Sequence, residues 1–284
     1  MVMQPNLTKH HWITDRIYRA TPVPRYAPVA PPAILHWLFN KGQLPDYHLL
    51  LAHDVVKPGN RATYRHLFRA MRPPLFTILD NSLIELGVPC DTNTMIDACN
   101  EVRPDVVVLP DKLGGVQATY ELSMAALNEW YKAGMRSFAV VLQGANWVDI
   151  EWLMDTFQEH PEVTMWCVPR HLTMLLGTRR DVIRKVHAKD PTRPIHLLGF
   201  SDDFYDDMLC VQLPGVVGID SAVPIRAAIQ CGYSWKQLKD NNDYKFPREN
   251  YWGMDLAFAQ EHTQQLVLNN LKAVQRELNR QYTE

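Results

Sequence analysis

The sequence predicts a single-domain (β/α)₈ TIM barrel, an α/β fold, on two observations. Short apolar runs alternate with amphipathic stretches along the chain from about residue 47. This strand–helix period repeats about seven times over roughly 230 residues, a length that suits such a barrel. Strands joined by helices in this way pair in parallel through right-handed crossovers, so one parallel sheet is expected.

The apolar runs are rich in valine, isoleucine and leucine, which is typical of strands covered on both faces. They are residues 47–53, 75–80, 105–111, 137–144, 163–169, 195–200 and 216–220. These runs predict all but one of the strands of a barrel. The eighth strand is expected near Tyr244–Trp252, in the segment DYKFPRENYWG.

Amphipathic stretches between the runs predict the surrounding helices, at residues 63–71, 92–102, 117–134 and 147–160. A long amphipathic helix at 254–278 closes the predicted barrel domain, 47–284. The proline-rich residues 1–46 are interpreted as an N-terminal arm packed on the barrel, or alternatively as loops that line a site. A doubly wound open sheet is the main competing fold, but HDVVKPGN after the first run has one glycine and no phosphate-binding loop.

Composition and charge exclude several function classes. The net charge of −2 means that any contact with nucleic acid must come from a local basic patch. The five cysteines form no CxxC pair, which predicts neither a disulfide framework nor a four-ligand zinc site. We expect no signal peptide and no membrane span, and therefore a cytoplasmic protein with no membrane partner.

Polar residues end most of the predicted strands, where the chemistry of a barrel is located. The polar side chains are Asp80, Asn81, Ser82, Asp111, Gln143 and Asp220. Gly144, Val168, Pro169 and Gly199 also end strands and offer backbone groups. Each aspartate alone is equally typical of a helix N-cap. Together, converging carboxylates raise one another's pKa values and can serve as nucleophile and general acid/base. His53 and His196, in or beside apolar runs, are interpreted as core histidines.

Four of these strand ends resemble the motifs of the tRNA-guanine transglycosylase superfamily, in the same order along the chain. The motifs are LDNSLIELG (79–87), VLPD (108–111), VLQG (141–144) and GIDSAVPIRAAIQCG (218–232). In the family's first motif the aspartate is followed by serine and glycine. The resemblance covers about residues 47–232.

The resemblance implies an exchange of guanine for a 7-deazaguanine base at a nucleic-acid glycosidic bond. Asp220 is then the nucleophile that attacks C1′, and Asp80 is the general acid/base. Asp111 and Gln143 read the purine edge, and Arg226 meets phosphate. The other base contacts come from Asn81, Gly144, Gly199 and the backbone near Val168 and Pro169, which meets the exocyclic oxygen.

The chain also departs from the family pattern. Cys231 is the only cysteine after the nucleophile, so no zinc cofactor is expected. Asn81, Ile84 and Ile225 replace serine, a base-stacking aromatic residue and threonine. The resemblance is closest to the phage-type branch, which lacks the zinc domain and inserts preQ0-type bases into DNA, evading restriction. A tRNA enzyme, a nucleoside hydrolase, a non-catalytic nucleic-acid-binding subunit and an unrelated two-carboxylate hydrolase are the alternatives.

The expected partners are DNA and a free 7-deazaguanine base as co-substrate, with a homo-oligomer or helper proteins possible. A base inside a duplex must be flipped out to reach a barrel mouth. The segments 61–72 and 170–185 are rich in arginine and follow predicted strands. We therefore predict backbone contacts from Arg65, Arg170, Arg179 and Arg180, the alternative being solvated helix faces.

Overall fold

The fold is a nearly closed barrel of eight parallel strands with helices between them, as predicted. The computed structural model describes residues 24–70, 75–172, 177–201, 203–240, 246 and 251–280. The strands are β1 (Arg25–Pro28), β2 (Tyr47–Leu51), β3 (Phe76–Asp80), β4 (Val106–Val108), β5 (Phe138–Val141), β6 (Val163–Pro169), β7 (Ile195–Leu198) and β8 (Val216–Ser221). Seven coincide with the predicted apolar runs, and all neighbours in the order β1-β8-β7-β6-β5-β4-β3-β2 are parallel.

The remaining strand lies near the start of the chain. Strand β1 pairs with β8 and lies beside β2, so it fills the gap in the barrel. The prediction that residues 1–46 form an arm is therefore wrong from Arg25 onward. The short run RYAP between prolines carries too few residues to show a strand period, which hid it.

The eighth strand was wrongly expected near Tyr244–Trp252. Most of that segment lies outside the described residues, and its described end is a 3₁₀ turn, Tyr251–Gly253. The Tyr251 hydroxyl donates a hydrogen bond to the carbonyl of Val29, just after β1. The segment thus packs against the true closing strand.

Helices surround the barrel, and the four interior predictions agree with the structure to within a few residues. The helices are α1 (Pro32–Asn40), α2 (Ala52–Val55), α3 (Arg61–Tyr64), α4 (Leu83–Leu86), α5 (Thr92–Val102), α6 (Val116–Lys132), α7 (Trp147–Gln158), α8 (Arg179–Lys189), α9 (Phe204–Cys210), α10 (Val223–Arg226), α11 (Trp235–Asp240) and α12 (Glu261–Leu278). Helices α3 and α10 continue as π-helical turns, Arg65–Ala70 and Ala227–Cys231, and 3₁₀ turns lie at Arg170–Leu172 and Leu256–Phe258. The described helices include none long and apolar enough to cross a membrane.

Helix N-caps are supplied by polar residues other than the strand-end aspartates. Asp91, Asn146, Thr178 and Asp203 begin α5, α7, α8 and α9, and each accepts a backbone N–H three residues on. The N-cap residues of α4, α6 and α10 are Ser82, Gly115 and Ala222. The alternative interpretation of Asp80, Asp111 and Asp220 as helix caps is therefore excluded.

Buried apolar residues form two layers, one inside the barrel and one between the barrel and its helices. The inner layer includes Tyr47, Phe76, Ala139, Met165 and Cys167. Alternate strand residues face inward, so the side chains at the carboxyl ends of the strands lie above this inner core. That end of the barrel is called the mouth below.

Helix α12 anchors the segment that follows β8. Asn270, buried on α12, donates to the carbonyls of Pro224 and Tyr233 and accepts the backbone N–H of Trp235. The end of the chain therefore fixes the loop after Asp220.

Candidate active site

Three strand-end carboxylates meet at the mouth. Asp80 ends β3, Asp111 follows β4, and Asp220 lies in β8. Their negative charges, with burial as the larger cause, raise the pKa of the Cys167 thiol well above its ordinary value. Cys167 belongs to the inner core, so the three carboxylates lie close enough to the top of this core to act on one side chain.

Asp80 has the environment of a proton-holding carboxyl group. Burial and the charge of Glu85 raise its pKa well above the ordinary value, and Asp220 and Asp111 add to the shift. One backbone N–H, from Ser82, donates to its Oδ2 at 2.7 Å and opposes that shift. A carboxyl group with a raised pKa holds its proton to higher pH, so it can act as a general acid and then as a base.

Asp111 lies in a buried hydrogen-bond chain. Asn81 Nδ2 donates to its Oδ1 at 2.9 Å, and Gln143 Nε2 donates to its Oδ2 at 2.6 Å. Burial raises the pKa of Asp111, and these two hydrogen bonds oppose the shift. Three predicted base-binding residues are thus brought together, with acceptors and donors in one group.

His171 extends this chain and was not predicted. Its Nε2 is 2.7 Å from Gln143 Oε1, which also accepts the N–H of Gly114 at 3.0 Å. Burial and the charges of Arg170 and Arg179 lower the pKa of His171, so its ring is neutral near pH 7. Its position directly after Arg170, at the end of β6, was the only signal in the sequence.

Asp220 is held by two N–H donors on the same oxygen. The backbone N–H of Gly199 donates to Oδ1 at 3.2 Å, and His196 Nε2 is 3.1 Å from the same atom. His196 is buried, as expected of a core histidine, but its contact with Asp220 makes it part of the site. The Tyr47 hydroxyl, 2.8 Å from His196 Nδ1, extends the contact into the inner core.

Several predicted backbone contacts have other roles. Gly199 has φ of +71° and donates to Asp220. The Val168 carbonyl accepts from Arg179, and Pro169 has no N–H to offer an exocyclic oxygen. A Cβ on Gly144 would lie 2.6 Å from Cβ of Asp149, so this glycine admits α7.

Arg179 is a buried structural residue, so the predicted contact of Arg179 with a nucleic-acid backbone is wrong. Its side chain is 1 % exposed and pairs with Asp207 at 2.9 Å. It also donates to the carbonyls of Val168, Leu198 and Gly199. The guanidinium therefore joins the ends of β6 and β7 and orients the Gly199 peptide that faces Asp220.

Of the other predicted phosphate-binding arginines, Arg65 lies away from the mouth. It pairs with Glu101 in the last turn of α5, the end of the helix that leads into the start of β4. Arg180 pairs with Asp206 at 2.7 Å, and Arg170 donates to the Phe200 carbonyl. Arg226 lies over the rings of Phe246 and Tyr251.

Comparison with known proteins assigns no family. No protein-family model matches the chain, and no curated protein matches it. Within the described part of the chain, no three His, Cys, Asp or Glu side chains are grouped to hold a metal ion.

Proposed function

We propose that the protein is a DNA-guanine transglycosylase that replaces guanine in DNA with a 7-deazaguanine base of the preQ0 type. The arrangement of Asp220 carries this proposal. Two N–H donors fix one of its oxygens at the mouth, and Asp220 is close enough to Asp80 for its charge to help raise the pKa of that carboxyl group. A fixed carboxylate beside a carboxyl group of raised pKa suits double displacement at a glycosidic carbon.

The proposed reaction has two halves. Asp220 Oδ2 attacks C1′, the C1′–N9 bond breaks, and its electron pair leaves with guanine, which takes a proton from Asp80. The incoming base then gives its N9 proton to Asp80, N9 attacks C1′, and Asp220 leaves as a carboxylate. Two inversions retain the configuration at C1′, and no oxidant or metal is required.

The chain Asn81–Asp111–Gln143 supports recognition of a flat purine edge. Guanine presents a carbonyl oxygen, a ring N–H and an amino group, which match amide donors and a carboxylate acceptor. In the structure these groups bond to one another, so an entering base exchanges those bonds for its own. The same purine edge occurs in guanine and in 7-deazaguanines, as base exchange requires.

The backbone after Asp80 gives independent support. Ser82 has φ of 63° and ψ of 23°, in the left-handed region that glycine favours. In the motif that 79–87 resembles, glycine occupies this position. The choice of DNA over tRNA rests on the sequence, in which a single cysteine follows Asp220.

Covalent trapping tests the proposal. Single-stranded DNA containing guanine, incubated with the protein and preQ0, is expected to gain 7-deazaguanosine by nucleoside mass spectrometry. Quenching in denaturant is expected to trap a protein–DNA adduct on Asp220. Asp220→Asn is expected to lose the adduct and at least about a thousandfold in exchange rate. Asp97→Asn, at an exposed surface carboxylate, serves as the matched control.

The same assay separates the alternatives. Exchange into tRNA but not DNA identifies the tRNA enzyme, and release of free base without incorporation identifies a hydrolase. Binding with no exchange and no adduct indicates a binding subunit. Exchange by Asp220→Ala at the wild-type rate would refute the assignment of the nucleophile.

A further inference from the structure

Beneath Asp220, a histidine and a tyrosine fill the barrel in a continuous hydrogen-bonded line. Tyr47 and His196 are both 0 % exposed, and their ring centres are 5.7 Å apart. The Tyr47 hydroxyl is 2.8 Å from Nδ1 of His196, whose Nε2 is 3.1 Å from Oδ1 of Asp220. Two polar side chains inside an apolar core, satisfied by each other, indicate a function beyond packing.

The local backbone makes room for this line. A Cβ on Gly218 would lie 2.5 Å from Cε1 of Tyr47, so only a glycine at this point in β8 lets the ring cross the barrel. The register between β7 and β8 also shifts between Ile195 and His196. Such a bulge re-aims the side chain beside it, and here that side chain is His196.

The hydrogen positions follow from the partners. A carboxylate only accepts, so Nε2 of His196 carries the hydrogen that faces Asp220. Burial, then the charges of Cys167 and Asp220, raise the pKa of Tyr47 well above its ordinary value, so its hydroxyl remains protonated and donates to Nδ1. The tyrosine therefore favours the tautomer of His196 that carries its hydrogen on Nε2.

The two oxygens of Asp220 consequently differ. Oδ1 accepts from Gly199 and His196, whereas Oδ2 accepts no hydrogen bond from the part of the chain that the structure describes. The Asp220 side chain is 11 % exposed, so it reaches the mouth. Oδ2 is the atom left for a bond to carbon.

We propose that Tyr47 and His196 are positioning residues that direct Oδ2 of Asp220 at C1′ and keep the covalent intermediate short-lived. This rests on the proposed function. When Oδ2 bonds to C1′, Oδ1 becomes the carbonyl oxygen of the ester and its hydrogen bonds weaken. When the base attacks, the electron pair of the breaking C1′–Oδ2 bond returns to the carboxylate, and the two donors stabilise it as a leaving group.

Removing the donor therefore shifts the reaction toward the intermediate. His196→Leu keeps a similar volume but has no N–H, and we expect at least a tenfold slower exchange with a larger trapped-adduct fraction at steady state. His196→Gln retains an N–H donor and is expected to restore most of the rate. A purely structural defect lowers exchange and adduct together, so the opposite change in the two readouts is diagnostic.

Tyr47→Phe keeps the buried ring and removes only the hydroxyl, so it tests the proposal even if the histidine variants fail to fold. It is expected to slow exchange severalfold and to raise the adduct fraction. The matched control is Tyr64→Phe, because Tyr64 is also buried and its hydroxyl donates to a buried carboxylate, Asp54, in a cluster with Lys57 and Asn60.

The outcomes are separable. An adduct fraction that is unchanged or lower in His196→Leu and Tyr47→Phe overturns the positioning proposal while leaving the function intact. Absence of both base exchange and adduct in the wild-type protein overturns the proposed function and this proposal with it. A larger adduct fraction with slower exchange in both variants, and wild-type behaviour of Tyr64→Phe, supports the assignment.

Discussion

Two sides of the mouth bury carboxylates in opposite ways. On the acidic side, defined by Asp80 and Asp111 at the ends of β3 and β4, the donors are a backbone N–H and two amides. On the arginine side, defined by Arg179 and Asp207 near the ends of β6 and β7, a buried guanidinium faces the carboxylate. Both sides belong to the same end of one barrel, so location at the mouth alone does not determine the role of a buried carboxylate.

Both carboxylate oxygens of Asp207 have hydrogen-bond donors, one of them a guanidinium. Asp207 accepts hydrogen bonds from Arg179 at 2.9 Å and from the backbone and hydroxyl of Ser201 at 2.6 and 3.0 Å. Burial raises its pKa, and the Arg179 guanidinium opposes that shift. Asp80 instead has three neighbouring carboxylates that raise its pKa further. The arginine side is thus built for rigidity, and the acidic side for proton transfer.

Loss of the buried cation is expected to have the largest effect on stability. Arg179→Met leaves Asp207 as an uncompensated buried charge and frees three backbone carbonyls, so the unfolding free energy should fall by about 3–5 kcal/mol. Urea denaturation measures it. Arg180→Met is the control, because its pair with Asp206 is partly exposed and contributes less than about 1 kcal/mol. Similar losses in the two variants would contradict the comparison.

On the acidic side, the raised pKa of Asp80 is expected to make the unfolding free energy depend on pH. Because the folded-state pKa of Asp80 is raised, the folded protein keeps a proton that the unfolded chain has lost. The unfolding free energy contributed by Asp80 therefore falls as pH rises from the ordinary carboxyl pKa toward the raised value. In Asp80→Asn this fall is absent, so the variant should gain stability relative to wild type as pH rises.

An opposite-sign control is available at a helix cap. The backbone N–H of Thr94 donates to Asp91 and lowers its pKa, so Asp91 contributes stability that is lost as pH falls through its folded-state value. Relative to wild type, Asp91→Asn should lose stability as pH rises. Denaturation series over pH for both variants measure the two slopes. Slopes of the same sign would contradict the assigned electrostatics.

Sequence reasoning located the barrel because seven strands are long apolar runs with a clear period. Strand β1 was missed since its four residues lie among prolines. The convergence of Asp80, Asp111 and Asp220 followed from topology alone, because the carboxyl ends of parallel strands meet at one end of a barrel. Which donors surround each carboxylate depends on side-chain packing between strands, and no local pattern encodes it.

Arginine and histidine show this limit most clearly. Arg179 and Arg180 are adjacent on α8, yet the first is buried against carbonyls and the second lies half in solvent. His196 resembled any core histidine, because its contact with Asp220 depends on a register shift and on the missing side chain of Gly218. Local spacing specifies neither the shift nor the partner.

The smallest expected effect concerns backbone strain, in which the two sides also differ. Each has a left-handed residue beside a carboxylate: Ser82 at φ 63° on the acidic side and Gly199 at φ +71° on the arginine side. Only the serine is strained, since a Cβ disfavours this conformation by about 1 kcal/mol. Ser82→Gly should therefore raise the unfolding free energy by about 1 kcal/mol or less, because glycine also loses more entropy on folding.

Gly199→Ser is the reciprocal variant, and it should lower the unfolding free energy by about 1–2 kcal/mol. Urea denaturation of both variants compares the signs. A loss of stability in Ser82→Gly would mean that the Ser82 hydroxyl, 3.4 Å from the backbone nitrogen of His53, outweighs the strain. The predicted gain would instead show that the N–H donor to Asp80 is supplied by a serine in an unfavourable backbone conformation. The N–H donor to Asp220 is supplied by a glycine, for which the same conformation is not strained.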